Sequence, residues 1–317
     1  MLVILWKVIA PIFAMIGLGY VLQKRVGFDL KTLTRLNFWV FVPAFLFIRI
    51  YESQLSGADL GKIFLHFCVF FPLLGLITWI FAGLCGFQDR LRRALTASVM
   101  FYNSGNYGIP VAQLAFPGAA LPLQVQAAIV MMQNISNFTI GLFLIAGGRG
   151  GRKRDTLKEI FKLPMIYVLL LAWSLRSLKP LLTTSLRADL HQFSLPIFTA
   201  LNYLEKGLVP IAVVTLGAQM AALKVPPLSF PLVAALGMRL VFAPILGFAT
   251  VYLLGIRGDL AQALVISTSF PTAVNSALLA LEYDNEPQFA AAAVFYSTLI
   301  SSVTVSGVIY ATGKWMT

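Results

Sequence analysis

Acidic residues are scarce in this chain: Asp and Glu together number 12 among 317 residues, and all charged residues make up 11%. Soluble domains ordinarily carry roughly 25%. With 59% hydrophobic residues and a mean hydropathy of +0.84, so little charge cannot clothe a water-facing surface. The expected solvent is lipid. Histidine is nearly missing, with only His66 and His191, and there is no HExxH, GxSxG, Walker A or GxGxxG arrangement. These absences speak against the common hydrolytic, zinc and nucleotide chemistries, so no enzymatic activity, no metal and no cofactor is expected. Only two cysteines occur, Cys68 and Cys85, both in one apolar run. A helix would hold them roughly 25 Å apart, beyond the reach of a disulfide. Both read as small apolar fillers. The opening run from Met1 to Lys7 has no basic stretch and no small-x-small cleavage pattern, and is read as part of a retained span.

What is present is apolar length. Runs able to cross about 30 Å of hydrocarbon predict ten spans, at 2–22, 32–50, 63–85, 94–116, 122–146, 164–181, 207–223, 229–254, 260–282 and 288–312. The mixed polarity from Leu195 to Glu205 predicts an interfacial helix leading into the seventh. The net charge of +12 sits mostly in short runs between spans. No basic tract is interleaved with aromatics, so no nucleic-acid partner is expected. In the first half, Lys24, Arg25, Lys31 and Arg35, then Arg90, Arg92 and Arg93, then the run from Arg149 to Lys162 fall on one side. Only Lys7, Arg49 and Lys62 fall on the other. The second half reverses this weakly, with Lys224 against Arg176, Lys179, Arg187, Arg257 and Lys314. The positive-inside rule then puts both termini outside, in a multi-pass protein of the cell membrane.

A Gly- and Arg-rich linker, 147–163, divides the chain into halves at 1–146 and 164–317, each with five spans. Five is odd, so the second half must insert upside down relative to the first. Internal matches agree with an inverted repeat. Ala94-Leu95, Ser98, Phe101 and Asn106 recur 169 residues later as Ala263-Leu264, Ser267, Phe270 and Asn275. Val42-Pro43 matches Val209-Pro210, and Pro72 with Gly75 matches Pro244 with Gly247. Spans four and nine are each interrupted, by Asn103-Ser-Gly-Asn-Tyr-Gly-Ile-Pro110 and by Phe270-Pro-Thr-Ala-Val-Asn-Ser276. Backbone freed at mid-membrane is tolerated only where it is buried in protein or lines a cavity. A matched pair of such breaks points to the binding site of a transporter.

At such a break the second half of the helix begins with unpaired N–H groups and a partial positive charge, which suits carboxylate or phosphate. Asn103, Ser104, Asn106, Tyr107, Pro110, Pro271 and Asn275 are therefore candidates for substrate binding. Arg239, near the middle of span eight, has two readings: an attractor for an anionic substrate, or a clamp on helix-end carbonyls. Glu205 and Lys206 read as an interfacial pair, and His66 as structural. No acid falls at mid-span in this reading, which favours an anion as cargo over proton or sodium exchange through a buried carboxylate. A sodium-coupled alternative uses the oxygens near Ser267, Ser269 and Thr272. A receptor or channel is a third possibility.

The motifs Asn103-x-x-Asn-x-Gly-Ile-Pro110, Pro210 with Gly217-Ala, Arg239-Leu-x-x-x-Pro244 and Pro271-x-Ala-Val-Asn resemble the auxin efflux carrier family, in its prokaryotic rather than its plant branch. The resemblance runs through nearly the whole chain. It implies an all-α integral membrane protein of ten spans in two inverted repeats, similar to sodium–proton antiporters and bile-acid symporters. Spans four and nine would be broken and would cross at Pro110 and Pro271. Spans one, two, six and seven would form a scaffold that dimerises, and spans three to five and eight to ten a mobile transport domain. Asn103 falls where plant members place a substrate-contacting asparagine, whereas Asn275 has no counterpart there. The short 147–163 linker departs from the long central loop of plant carriers, so auxin is not the expected substrate. The expected activity is elevator-type transport of a small organic anion, such as a dicarboxylate or aromatic carboxylate, by a homodimer in the lipid bilayer.

Overall fold

The structure, a computed structural model, describes residues 1–145, 164–178, 184–223 and 225–315; the linker at 147–163 lies outside them. The described residues form helices with no β-strand beyond a single bridge between Tyr102 and Thr272. Seven helices among them are long and apolar enough to span a bilayer. These are α1 (Leu2–Arg25), α2 (Leu30–Tyr51), α3 (Gly57–Leu84), α6 (Ala120–Ile145), the Phe193–Ala222 stretch of α8 (Thr184–Ala222), α9 (Phe230–Leu253) and α12 (Pro287–Trp315). A shorter apolar helix, α7, covers Pro164–Leu178. The two interrupted runs are pairs of short helices: α4 (Asp89–Met100) with α5 (Ile109–Ala115), and α10 (Gly258–Thr268) with α11 (Val274–Glu282).

Proline shapes the long helices without ending them. Four widened π-type turns, at Leu5–Ile9, Asn37–Phe41, Ser104–Gly108 and Met238–Phe242, each end two residues before a proline: Pro11, Pro43, Pro110 and Pro244. A proline has no N–H to donate, and its ring collides with the carbonyl four residues earlier. Widening the preceding turn relieves both problems at the cost of a slight bend.

Side chains cap the N-termini of α2 and α3. Ser56 accepts from the Asp59 N–H at 3.1 Å, and the Asp59 carboxylate accepts from the Ser56 N–H at 3.3 Å, closing a capping box on α3. Ser56→Ala is expected to lower stability by about 1 kcal/mol. Thermal denaturation in detergent checks this, and an unchanged midpoint would show that the cap contributes nothing. At the start of α2, Asp29 accepts from Thr32 Oγ1 and from the Lys31 N–H. These bonds, the hydroxyl first, hold its carboxyl below the usual carboxylate range.

Packing sorts the helices. α8 lies against both α1 and α2, and α7 against α2. Where α1 meets α8 the backbones touch. A Cβ on Gly19 would sit 2.1 Å from the Val214 carbonyl oxygen, and one on Gly217 would sit 2.0 Å from that of Ile16. α8 corrects two expectations. The stretch from Leu195 to Glu205 is no separate interfacial helix but part of one continuous helix, Thr184–Ala222. Its mixed polarity has another cause: Glu205 does not pair with Lys206 but with Arg49 on α2, forming a largely buried ion pair. A carboxylate can be held within a span when a guanidinium from the neighbouring helix meets it.

Candidate functional site

Two of the short helices stop at the interruptions. α4 gives way at Phe101, whose φ and ψ are −90° and 110°. α10 gives way at Ser269, where Pro271 disfavours helical geometry at Phe270. The freed backbone groups then satisfy one another. The Asn103 N–H donates to the Pro271 carbonyl at 2.7 Å, and the Ala273 N–H to the Phe101 carbonyl at 2.8 Å. The Thr272 N–H is taken by Ser297 Oγ at 3.0 Å, and Thr272 Oγ1 donates to the Ser98 carbonyl at 2.8 Å. The residues that meet are thus Phe101–Asn103 and Pro271–Ala273. Pro110 lies elsewhere, in the first turn of α5, directly after the widened Ser104–Gly108 turn. Gly108 is required by a close approach: a Cβ there would lie 2.5 Å from the Phe270 ring and 2.7 Å from Gln126 Nε2.

Arg239 is fully buried and has no acidic partner among the described residues. Its guanidinium donates to the Val99 carbonyl at 2.7 Å and to the Thr268 carbonyl, and lies 5.0 Å from the centre of the Tyr102 ring. Val99 and Thr268 stand at the C-terminal ends of α4 and α10, where unpaired carbonyls concentrate partial negative charge. The cation is met by two helix ends in place of a carboxylate. Of the two readings of Arg239, the geometry supplies the clamp, and the side chain is not part of the cavity wall.

That wall encloses about 90 Å³. Four parts of the chain supply its polar groups: Thr34 and Asn37 from α2; Asn103, Ser104 and Asn106 from the first break; Gln133, Asn134 and Asn137 from α6; and Asn275 from α11. Asn37 Nδ2 donates to Asn106 Oδ1 at 2.7 Å, tying α2 to the break. Asn103, Ser104, Asn106 and Asn275, expected from sequence, come together here. Tyr107, Pro110, Pro271 and Arg239 do not face the cavity. Tyr107 is buried, with its hydroxyl accepting from Ser301 Oγ at 3.0 Å and its ring against Phe270. Four amides were not anticipated: Asn37, Gln133, Asn134 and Asn137. The spacing of the last three on one face of α6 is the signal that could have found them.

No charged residue lines this cavity. Adjoining it is a space that shares Thr34, Asn137 and Asn275 and is bordered by Arg35 and Glu282. Beyond lies a wider one of about 720 Å³, bordered by Lys31, Arg35 and Gln219. The amide cavity therefore opens toward the end of the bundle where α2 begins and α8 finishes. The oxygens named for sodium stand apart from it. Ser269 Oγ donates to the Ile266 carbonyl at 2.6 Å and Thr272 to Ser98, while Ser267 is buried with its hydroxyl unpartnered. Among the described residues no group of His, Cys, Asp or Glu is arranged to hold a metal ion.

An amide-walled cavity in a lipid-facing bundle, reached from one end and bounded by interrupted helices, is the architecture of a carrier. The family model described as membrane transport protein matches residues 4–309. The chain belongs to this family, that of the auxin efflux carriers. Its relatives agree. An "Uncharacterized transporter" of Methanothermobacter thermautotrophicus is 28% identical over 312 residues, covering 94% of this chain and 95% of the relative. A "Putative malonate transporter" of Rhizobium meliloti is 24% identical over 323 residues, covering 95% and 94%. An uncharacterized transporter of Methanocaldococcus jannaschii is 22% identical over 281 residues, covering 87% of each. This family member is a multi-pass membrane transporter, and the family and relatives name transport rather than catalysis.

Proposed function

We propose that this transporter carries a small organic anion, held by its carboxylate among Asn103, Asn106 and Asn275. The observation that supports the reading is the set of buried amides around a cavity without fixed charge, two of whose N–H₂ groups, on Asn103 and Gln133, have no partner. Neutral donors hold a carboxylate without burying a permanent cation beside it. The starts of the Ser104–Gly108 turn and of α11 add partial positive charge at the same wall. Arg239 lies behind Tyr102 and contributes positive potential from one layer out. The relative named for malonate is in keeping with an organic anion.

The same reading takes the short-helix pairs as spans four and nine of ten, in two inverted repeats with both termini outside. In it, α1, α2, α7 and α8 act as a dimeric scaffold past which the remaining helices move in an elevator-like step. Sodium coupling draws less support, because none of the three hydroxyls it needs lines the amide cavity. Asn103→Ala and Asn275→Ala are each expected to weaken malonate binding by about ten- to a hundredfold, since a hydrogen bond to a charged group contributes about 1.5–3 kcal/mol. Calorimetric titration of the purified protein measures the change. Affinities equal to the wild type for both variants overturn the site.

A further inference from the structure

Four buried amide atoms around the cavity have no hydrogen-bond partner: Nδ2 of Asn103, Nε2 of Gln133, Oδ1 of Asn37 and Oδ1 of Asn137. All four residues are at least nine-tenths buried and line the same wall. Buried polar groups are ordinarily satisfied, so a set of orphans sharing one cavity describes the missing partner. Two are donors and two are acceptors. Asn37 already spends its other end on Asn106. Each amide carries one C=O and one N–H₂ group, so turning over any single one exchanges its own role and still leaves both kinds in the set.

A ligand offering only acceptors fits this set poorly. A fully ionised dicarboxylate would satisfy the N–H₂ groups and then press its remaining anionic oxygens against amide oxygens. No cation lines the cavity to offset a second charge. One carboxylate beside one hydroxyl answers both halves: the carboxylate accepts from Asn103 and Gln133, and the hydroxyl donates to Asn37 or Asn137. About 90 Å³ is the space of about three waters in the liquid, which suits the polar end of a short-chain acid. Resting on the carboxylate reading above, we infer that the favoured substrates are short 2-hydroxycarboxylates, selected through the amide oxygens of Asn37 and Asn137.

Lactate and propionate differ in one hydroxyl, and comparing them isolates the claim. Titration calorimetry of the purified wild-type transporter against lactate, propionate and malonate is expected to show lactate at least tenfold tighter than propionate. In Asn37→Ala and Asn137→Ala that ratio is expected to fall below threefold for at least one variant. The wild-type comparison stands even where a variant fails to fold. If propionate and malonate bind and lactate gains nothing, the hydroxyl inference falls and the carboxylate reading stands. A preference for lactate that survives in both variants removes Asn37 and Asn137 as its source. If none of the three acids binds, both readings fall.

Discussion

Arg239→Met lowers the stability of the folded protein by about 2–6 kcal/mol. The side chain it replaces is fully buried and holds the Val99 and Thr268 carbonyls. Methionine is similar in length but donates nothing. Each carbonyl left buried without a partner costs about 1–3 kcal/mol. Removing a buried cation returns part of its desolvation cost, which keeps the loss from being larger. The carbonyls decide the sign, because the side chain that holds them is fully buried, away from solvent that could take its place. Arg239→Lys separates charge from geometry. A lysine keeps the cation but reaches as a single point and cannot fork to two helix ends. It is expected to recover roughly half of the loss. Denaturation curves for both variants in one detergent provide the test. A methionine variant as stable as the wild type would show that the two helix ends do not depend on the clamp.

The second large effect is expected where α1 crosses α8. Gly217→Ala places a methyl 2.0 Å from the Ile16 carbonyl oxygen, and Gly19→Ala places one 2.1 Å from that of Val214. Both obstacles are backbone, so no rotamer change can make room. The helices must part along their contact, at a cost of about 3 kcal/mol, the upper end of overpacking losses. Gly237→Ala is the control, since nothing lies within 4 Å of a Cβ there. An alanine inside α9 is expected to be neutral or to add up to about 1 kcal/mol. Equal behaviour of the two substitutions would mean that the close contact is not what constrains Gly217.

The parts of the structure that depend on local chemistry were legible in the sequence. Apolar length marked the long helices, and Pro271 together with the glycines after Asn103 marked the two interruptions. Asn103, Asn106 and Asn275 were legible as cavity residues because they sit at those interruptions. What depends on a distant partner was not legible. Arg239 finds carbonyls, and a sequence does not advertise which carbonyls will be left unpaired. Glu205 looked like the neighbour of Lys206 but meets Arg49, 156 positions away. Asn37, Gln133, Asn134 and Asn137 resembled the small polar residues that join any membrane helices. Only their convergence on one cavity distinguishes them. Pro110 misled because a proline near a break invites the inference that it causes the break, whereas here it begins the next helix.

The forked contact of Arg239 has a mechanical consequence. One guanidinium grips the ends of α4 and α10, and the extended segments beyond those ends are laced by the bonds from Asn103 to Pro271 and from Ala273 to Phe101. The two interrupted helices are thereby riveted at three points lying close together. A slide, tilt or unwinding of either one has to strain or break these bonds to the other. A carrier assembled around such a joint would keep Asn103, Asn106 and Asn275 at fixed spacing, while Asn37 on α2 faces them from a separate element.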